Sequence, residues 1–212
     1  MKTLLFIITL VLTVPASADN LRIIDGDTID LNGVRYRLEG IDAPEMAQRC
    51  KAVSGAWNCG IAARNALVEM TKGRNVTCHG DQHDKYGRVI GYCKAGGIDL
   101  NGQMVRRGYA WAFRKYSQTY VAQEHLAQTE RRGIWQAKTM TAWQFRAKKW
   151  KAAEQAAPNG CVIKGNISEN GRIYHMPWSK WYSRTRINPE KGERWFCNEA
   201  ETQSAGWRAV RG

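Results

Sequence analysis

An Asn-Gly pair at 32–33 does more than any other feature to limit the fold of this chain. Both residues accept the positive φ that a type I′ turn demands, so the pair predicts a tight hairpin joining the apolar runs on either side. The strands are then 28–31 and 34–38, with 21–24 placed before them across the polar Asp25-Gly26-Asp27. Ala63, Leu67 and Met70 recur at i, i+4 and i+7, which predicts a helix over 60–72 stopped by Gly73. Two more strands follow, 75–79 and 88–93, joined by a polar loop containing Asp84-Lys85-Tyr86-Gly87. A short helix over 101–107 ends at Gly108, and Ser117 can cap another that runs to Arg131-Arg132 and ends at Gly133.

Three strands, a helix, two strands and then helices is the order of a small five-stranded Greek-key barrel of the OB type, a β-barrel with helices. That domain is expected over 19–137. Residues 138–153 carry Lys138, Arg146, Lys148, Lys149 and Lys151 with no acidic residue, while Trp143, Ala147 and Trp150 recur on one stripe. They predict a basic amphipathic helix packed on the barrel, its charges either solvated or facing nucleic acid or lipid. With the Ala156-Ala157-Pro158-Asn159-Gly160 linker this segment spans 138–160. Residues 161–212 then form a small separate module. So short a unit usually needs a staple, and Cys161 and Cys197 lie near its two ends.

The N-terminus bears on the compartment. Lys2, an apolar run over 4–14 and Ala16-Ser17-Ala18 predict a cleaved export signal at 1–18. The run is too short to span a bilayer, which takes about 20 apolar residues. The expected location is therefore secreted, in a periplasm or the medium, with no membrane span. In such an oxidising place six cysteines read as three disulfides. Zinc is the alternative, but the chain contains no C-x-x-C pair. Sequence alone leaves the connectivity open. Pairing neighbours gives Cys50–Cys59, Cys78–Cys93 and Cys161–Cys197, and a hairpin folded about 85/86 sets 78 opposite 93. The chain has 32 Lys and Arg against 19 Asp and Glu, a formal charge of +13. So basic a surface attracts polyanions, whether nucleic acid, anionic lipid or acidic polysaccharide; plain solubility is the alternative use of the charge.

Chemistry concentrates in two acidic clusters, Asp25 with Asp27 and Asp42 with Glu45, bracketed by Arg37 and Arg88. Residues two apart on a strand share a face, so Asp25 and Asp27 can project together. Pro44 keeps Ala43 extended, which can turn its carbonyl outward. Hard oxygen donors of this kind suit Ca²⁺, and arginines facing a carboxylate-bound cation would clamp a phosphodiester.

Three ordered segments, 25–28, 37–45 and 84–88, closely resemble the thermonuclease family typified by staphylococcal nuclease, as do 104–110 and 133–135. The resemblance covers about residues 21–136. It implies an OB-fold enzyme hydrolysing DNA and RNA with Ca²⁺. It further implies Asp27, Asp42 and the Ala43 carbonyl as metal ligands, with Asp25 behind them. Glu45 would be the general base, and Arg37 and Arg88 the phosphate-binding pair. Lys85 and Tyr86 would line the phosphate pocket, and Tyr116 would flank the substrate. Two departures stand out: Arg114 where the family has a second aromatic, and an insertion over 46–58 that could reshape substrate access. The module resembles a small appendage of bacterial exported nucleases that brings no chemistry with it, and its His175 reads as a packing residue. The chain is expected to act as a monomer on nucleic acid. The alternatives are an OB barrel that binds nucleic acid without cutting it, and an envelope-associated protein.

Overall fold

The computed structural model describes residues 20–210 apart from Lys85, and only the backbone of Gln155. The expected export signal at 1–18 and Lys85 lie outside the described residues. Strands β1 (Leu21–Ile23), β2 (Thr28–Leu31) and β3 (Val34–Leu38) form an antiparallel meander. Asn32 and Gly33 take φ of 52° and 84° at its turn, as the hairpin requires. After β4 (Ile41–Asp42) the insertion makes its own hairpin, β5 (Cys50–Ala52) and β6 (Gly55–Trp57), and leads into helix α1 (Cys59–Thr71). Strands β7 (Val76–His83) and β8 (Val89–Ala95) pair antiparallel with a bulge between His79 and Gln82. Strand β9 (Ile98–Asp99) folds back on β8, and Asp99 caps α2 (Leu100–Arg106) by accepting from the Gly102 amide.

The ladders do not close into the five-stranded barrel expected from the element order. The sheet runs β1-β2-β3-β8-β7 with β3 parallel to β8, and β4 leaves it to pair with β10 (Trp111–Ala112). The cause is local. Gly40 (φ 72°) turns the chain out of line after β3, and Pro44 has no amide to continue a ladder, so the would-be closing strand is two residues long. Helix α3 (Val121–Thr129) also starts later than the sequence suggests. The Ser117 hydroxyl contacts the Thr119 hydroxyl at 2.9 Å and accepts from the Thr119 amide at 3.2 Å, holding a turn rather than capping a helix.

Ile29, Leu38, Ile41, Leu67, Leu100 and Met104 are fully enclosed between sheet, α1 and α2. A second small core joins Trp111, Ile134 and Ala142 to the Cys50–Cys59 disulfide, with Trp57 and Trp135 against it. Helix α4 (Ala142–Ala156) opens on a reciprocal capping box between Thr141 and Gln144. Trp143 stacks on Phe113 and meets Trp111 edge-on; Ala147 of the expected stripe is exposed instead. Farther along, Trp150, Ala153 and Ala157 pack on the core of the C-terminal module, Val162, Ile163, Tyr174, Phe196 and Trp207. The module is a sheet of β11 (Ile163–Ser168), β12 (Gly171–His175), β13 (Arg194–Phe196) and β14 (Arg208–Ala209), with α5 (Glu199–Ser204) before the last strand.

All three neighbour disulfides form: Cys50–Cys59, Cys78–Cys93 and Cys161–Cys197. Cys78 and Cys93 are directly facing partners of the β7–β8 ladder, with Cα atoms 4.1 Å apart. His175 is buried, its Nε2 is 2.8 Å from the Asn166 amide oxygen, and burial followed by the Lys164 charge lowers its pKa to about 4. It is therefore a neutral packing residue at ordinary pH. No helix among the described residues is long and apolar enough to cross a membrane.

Candidate active site

The acidic clusters meet because β1, β2 and β4 converge beside the start of α1. Gly26 permits the approach: a Cβ there would lie 2.7 Å from the Cβ atoms of both Ala43 and Ala63. Asp27, next in the chain, accepts the Ala43 amide on Oδ2 at 2.8 Å and its own amide donates to Asp25 Oδ1 at 3.0 Å. One hydrogen bond thus ties two segments sixteen residues apart, and the backbone around Ala43 is fixed against a carboxylate.

Arg37 projects from β3 between the two clusters. Its Nη2 is 3.2 Å from Asp27 Oδ2 and 3.2 Å from Asp42 Oδ1, while Nη1 donates to the Leu38 carbonyl at 2.7 Å. Arg88 comes from the β7–β8 loop. Asp84 accepts from the Tyr86 and Arg88 amides at 2.9 and 3.0 Å, an Asx turn completed by Gly87 at φ 74°. The other Asp84 oxygen takes the Arg88 guanidinium at 2.6 and 2.8 Å. Arg88 Nη1 also reaches the Thr28 hydroxyl at 3.4 Å, which in turn donates to Asp27 at 3.2 Å, so a threonine links the second arginine to the cluster. Tyr86 stacks on Arg88 at 4.9 Å.

Three residues that sequence reasoning missed complete the site: Thr28, Gln48 and Arg146. Gln48 is buried, accepts the Glu45 amide at 3.2 Å and donates to the Met140 carbonyl at 2.7 Å. The insertion therefore braces Glu45 from below and ties it to the segment entering α4. Composition groups Arg146 with the charges of a basic helix; it points inward instead. Its Nη1 and Nη2 fork onto Asp42 at 3.1 and 2.9 Å, and Nη1 donates to Glu45 Oε1 at 2.7 Å. A signal existed: residue 146 stands four positions from both Ala142 and Trp150, on the packed side of the helix.

The electrostatics follow from burying four carboxyls beside three guanidiniums. Burial, then the Asp27 charge, raises the Asp25 pKa to about 6. Burial also raises Asp42, against the opposing pull of Arg146. At Asp27 burial is outweighed by Arg37 and the Ala43 amide, and its carboxyl titrates below the ordinary value. Glu45 rises to about 7, chiefly through burial and in spite of Arg146. A carboxylate held near neutrality is one that can exchange a proton with water.

Among the described residues no three His, Cys, Asp or Glu side chains are arranged to hold a metal by themselves; guanidiniums stand between the carboxylates. The donor set suits a hard cation nonetheless. Asp27 and Asp42 converge on one positively charged nitrogen 3.2 Å from each, and Ala43 offers a fixed backbone beside them.

Tyr116 is exposed, packs edge-on against Phe113 at 4.8 Å, and belongs to the aromatic row that Trp143 continues. Arg114 is held away by a fork onto buried Glu124, at 2.5 and 3.1 Å, whose other oxygen accepts the Ala112 amide.

A family model described as "Staphylococcal nuclease homologue" matches residues 35–137. A protein named micrococcal nuclease from Shigella flexneri is 34% identical over 174 residues, covering 72% of this chain and 92% of that protein. An uncharacterized endonuclease of Escherichia coli is 34% identical over 136 residues, 60% of this chain and 83% of its own length. A probable staphylococcal-like nuclease of Oryza sativa subsp. japonica is 32% identical over 127 residues, 58% of this chain and 36% of its own. A third of the residues shared along nine-tenths of a relative's length is kinship rather than chance, and this chain belongs to the staphylococcal nuclease-like family.

Proposed function

We propose that this protein is an exported, calcium-dependent nuclease that cleaves DNA and RNA at the cluster of Asp27, Asp42, Glu45, Arg37 and Arg88. Its family makes it a phosphodiester-hydrolysing endonuclease; the cation, the compartment and the residue roles are our reading. The observation that carries it is the convergence of two carboxylates on one point 3.2 Å from each, beside an acid whose pKa is raised to about 7. Three disulfides accord with an oxidising compartment.

Asp27, Asp42 and the Ala43 carbonyl would hold the cation, with Asp25 ordering the Asp27 backbone behind them. Bound there, Ca²⁺ supplies fixed positive charge against the phosphodiester oxygens and leaves room for water and substrate in its large coordination shell. Glu45 takes the proton of the attacking water at a carboxylate oxygen. Arg37 and Arg88 fork onto the phosphate as its negative charge grows in the transition state, a role that suits a permanently charged planar donor. Tyr86 lines the phosphate pocket, a role the family resemblance also gives Lys85, while Tyr116 offers a ring to a base farther along the strand.

Cleavage of labelled single-stranded and duplex oligonucleotides should be rapid in Ca²⁺ and absent in excess chelator. Mg²⁺ should restore little of it, because it demands a tight octahedron and gives up water reluctantly. Undiminished cleavage in chelator would remove the cation from the mechanism.

A further inference from the structure

Asp42 is the most enclosed acid of the cluster, with its side chain 1% exposed. Both its oxygens are already engaged: Oδ1 by Arg37 at 3.2 Å and Arg146 at 3.1 Å, Oδ2 by Arg146 at 2.9 Å. A paired guanidinium fork on a buried carboxylate is the strong form of this interaction. A divalent ion on Asp42 would have to share its two oxygens with both guanidiniums and would crowd like charges around a side chain that is almost wholly enclosed. Arg37 has a further partner in the Leu38 carbonyl, whereas the Arg146 fork engages Asp42 and Glu45. Every contact described for Arg146 is with an acid of the cluster, so a cation that takes Asp42 removes the main partner that holds it there. Arg146 is also carried on α4, apart from the strands and loops that hold the other members of the site.

We propose that Arg146 is a tethered competitor of the cation: it covers Asp42 and Glu45 when the site is empty, and loading requires it to leave Asp42. The inference rests on the reading of Asp42 as a metal ligand. Helix α4 thereby sets cation affinity from outside the nuclease sheet. By linkage, anything that draws Arg146 off Asp42 strengthens cation binding, and a substrate phosphate beside the site is such a group.

The test is calorimetric titration of Ca²⁺ into the substrate-free protein, wild type against Arg146→Met and Arg146→Lys. Methionine keeps an unbranched stem without the charge; lysine keeps the charge without the fork. The methionine variant should bind Ca²⁺ at least tenfold more tightly than wild type, with lysine between them. Binding by the variant alone would support the inference most strongly. Equal affinities in all three proteins would overturn it and leave the calcium reading standing, whereas no binding by any of them would overturn both. Hydrogen exchange on the unmodified protein gives a second arm that needs no variant. Ca²⁺ should speed exchange of the α4 amides around 142–150, and unchanged or slower exchange there contradicts displacement.

Discussion

Arg37 and Arg88 are both half-buried arginines facing the same acids, yet they are held differently. Arg37 bridges Asp27 and Asp42, while Arg88 is clamped by Asp84 in its own loop and reaches Asp27 only through Thr28. Losing a preorganised donor to the transition state typically costs on the order of 10²–10³ in rate. Arg88→Ala should therefore slow cleavage about that much while leaving Ca²⁺ affinity nearly untouched. Arg37→Ala should show the same loss together with altered Ca²⁺ binding, because it also frees two ligands. Wild-type turnover with an unchanged circular dichroism spectrum in either variant would take that residue out of the mechanism. These acids and arginines are legible in the sequence because they fall in ordered segments that resemble the thermonuclease family; residue type alone would leave them as solvated or ion-paired charges. Arg146 is not, since its partners lie 104 and 101 residues away and its meaning depends on where a helix docks. Family resemblance gives Tyr116 a role, and its exposed position beside Phe113 leaves that role resting on the length of the bound strand.

The first turn of α1 shows why an element cannot be judged by propensity alone. Gly60 sits in a helix, where alanine ordinarily gains about 1 kcal/mol. Here a Cβ would collide with the Glu45 carbonyl and would lie 2.9 Å from the Met46 Cα. Overpacking against backbone costs about 1–3 kcal/mol, so the clash outweighs the propensity gain. Gly60→Ala should thus lower the thermal midpoint and, by moving Glu45, reduce kcat more than it raises KM; a stabilised, fully active variant would contradict this packing. The boundaries of α1, α2 and the first hairpin are readable because glycine, capping and periodicity are local signals. Failure of the barrel to close is not, because it turns on Gly40 and Pro44 leaving β4 only two residues to offer. The late start of α3 is hidden for a similar reason: a serine that can cap a helix can equally hold a turn.

At the scale of the molecule, α4 joins the two halves, with Arg146 in the acidic cluster and Trp150 in the module's core. The module also reaches the nuclease side directly. Glu199 accepts the Tyr174 hydroxyl at 2.5 Å and, with burial the larger cause, raises the pKa of the Tyr86 hydroxyl that it faces. The split at 161 expected from the linker and the cysteine pair is thus a division of sheets, and these interactions cross it. All proposed catalytic groups still lie outside 161–212, whose net charge is +4. A fragment of 19–157 should cleave short oligonucleotides within tenfold of the full chain, yet bind long duplex DNA more weakly and with a flatter salt dependence. Every phosphate that the fragment leaves unneutralised takes about 0.9 from the slope. Equal slopes would mean that the module's charge faces away from DNA. The central claim is that this cluster cuts nucleic acid and does not merely hold it. Single-turnover cleavage of a duplex by Glu45→Gln in saturating Ca²⁺, with affinity for the same duplex measured alongside, tests it most directly. The rate should fall by about 10²–10⁴ with affinity nearly unchanged; cleavage at the wild-type rate by the folded variant would contradict a catalytic role for the cluster.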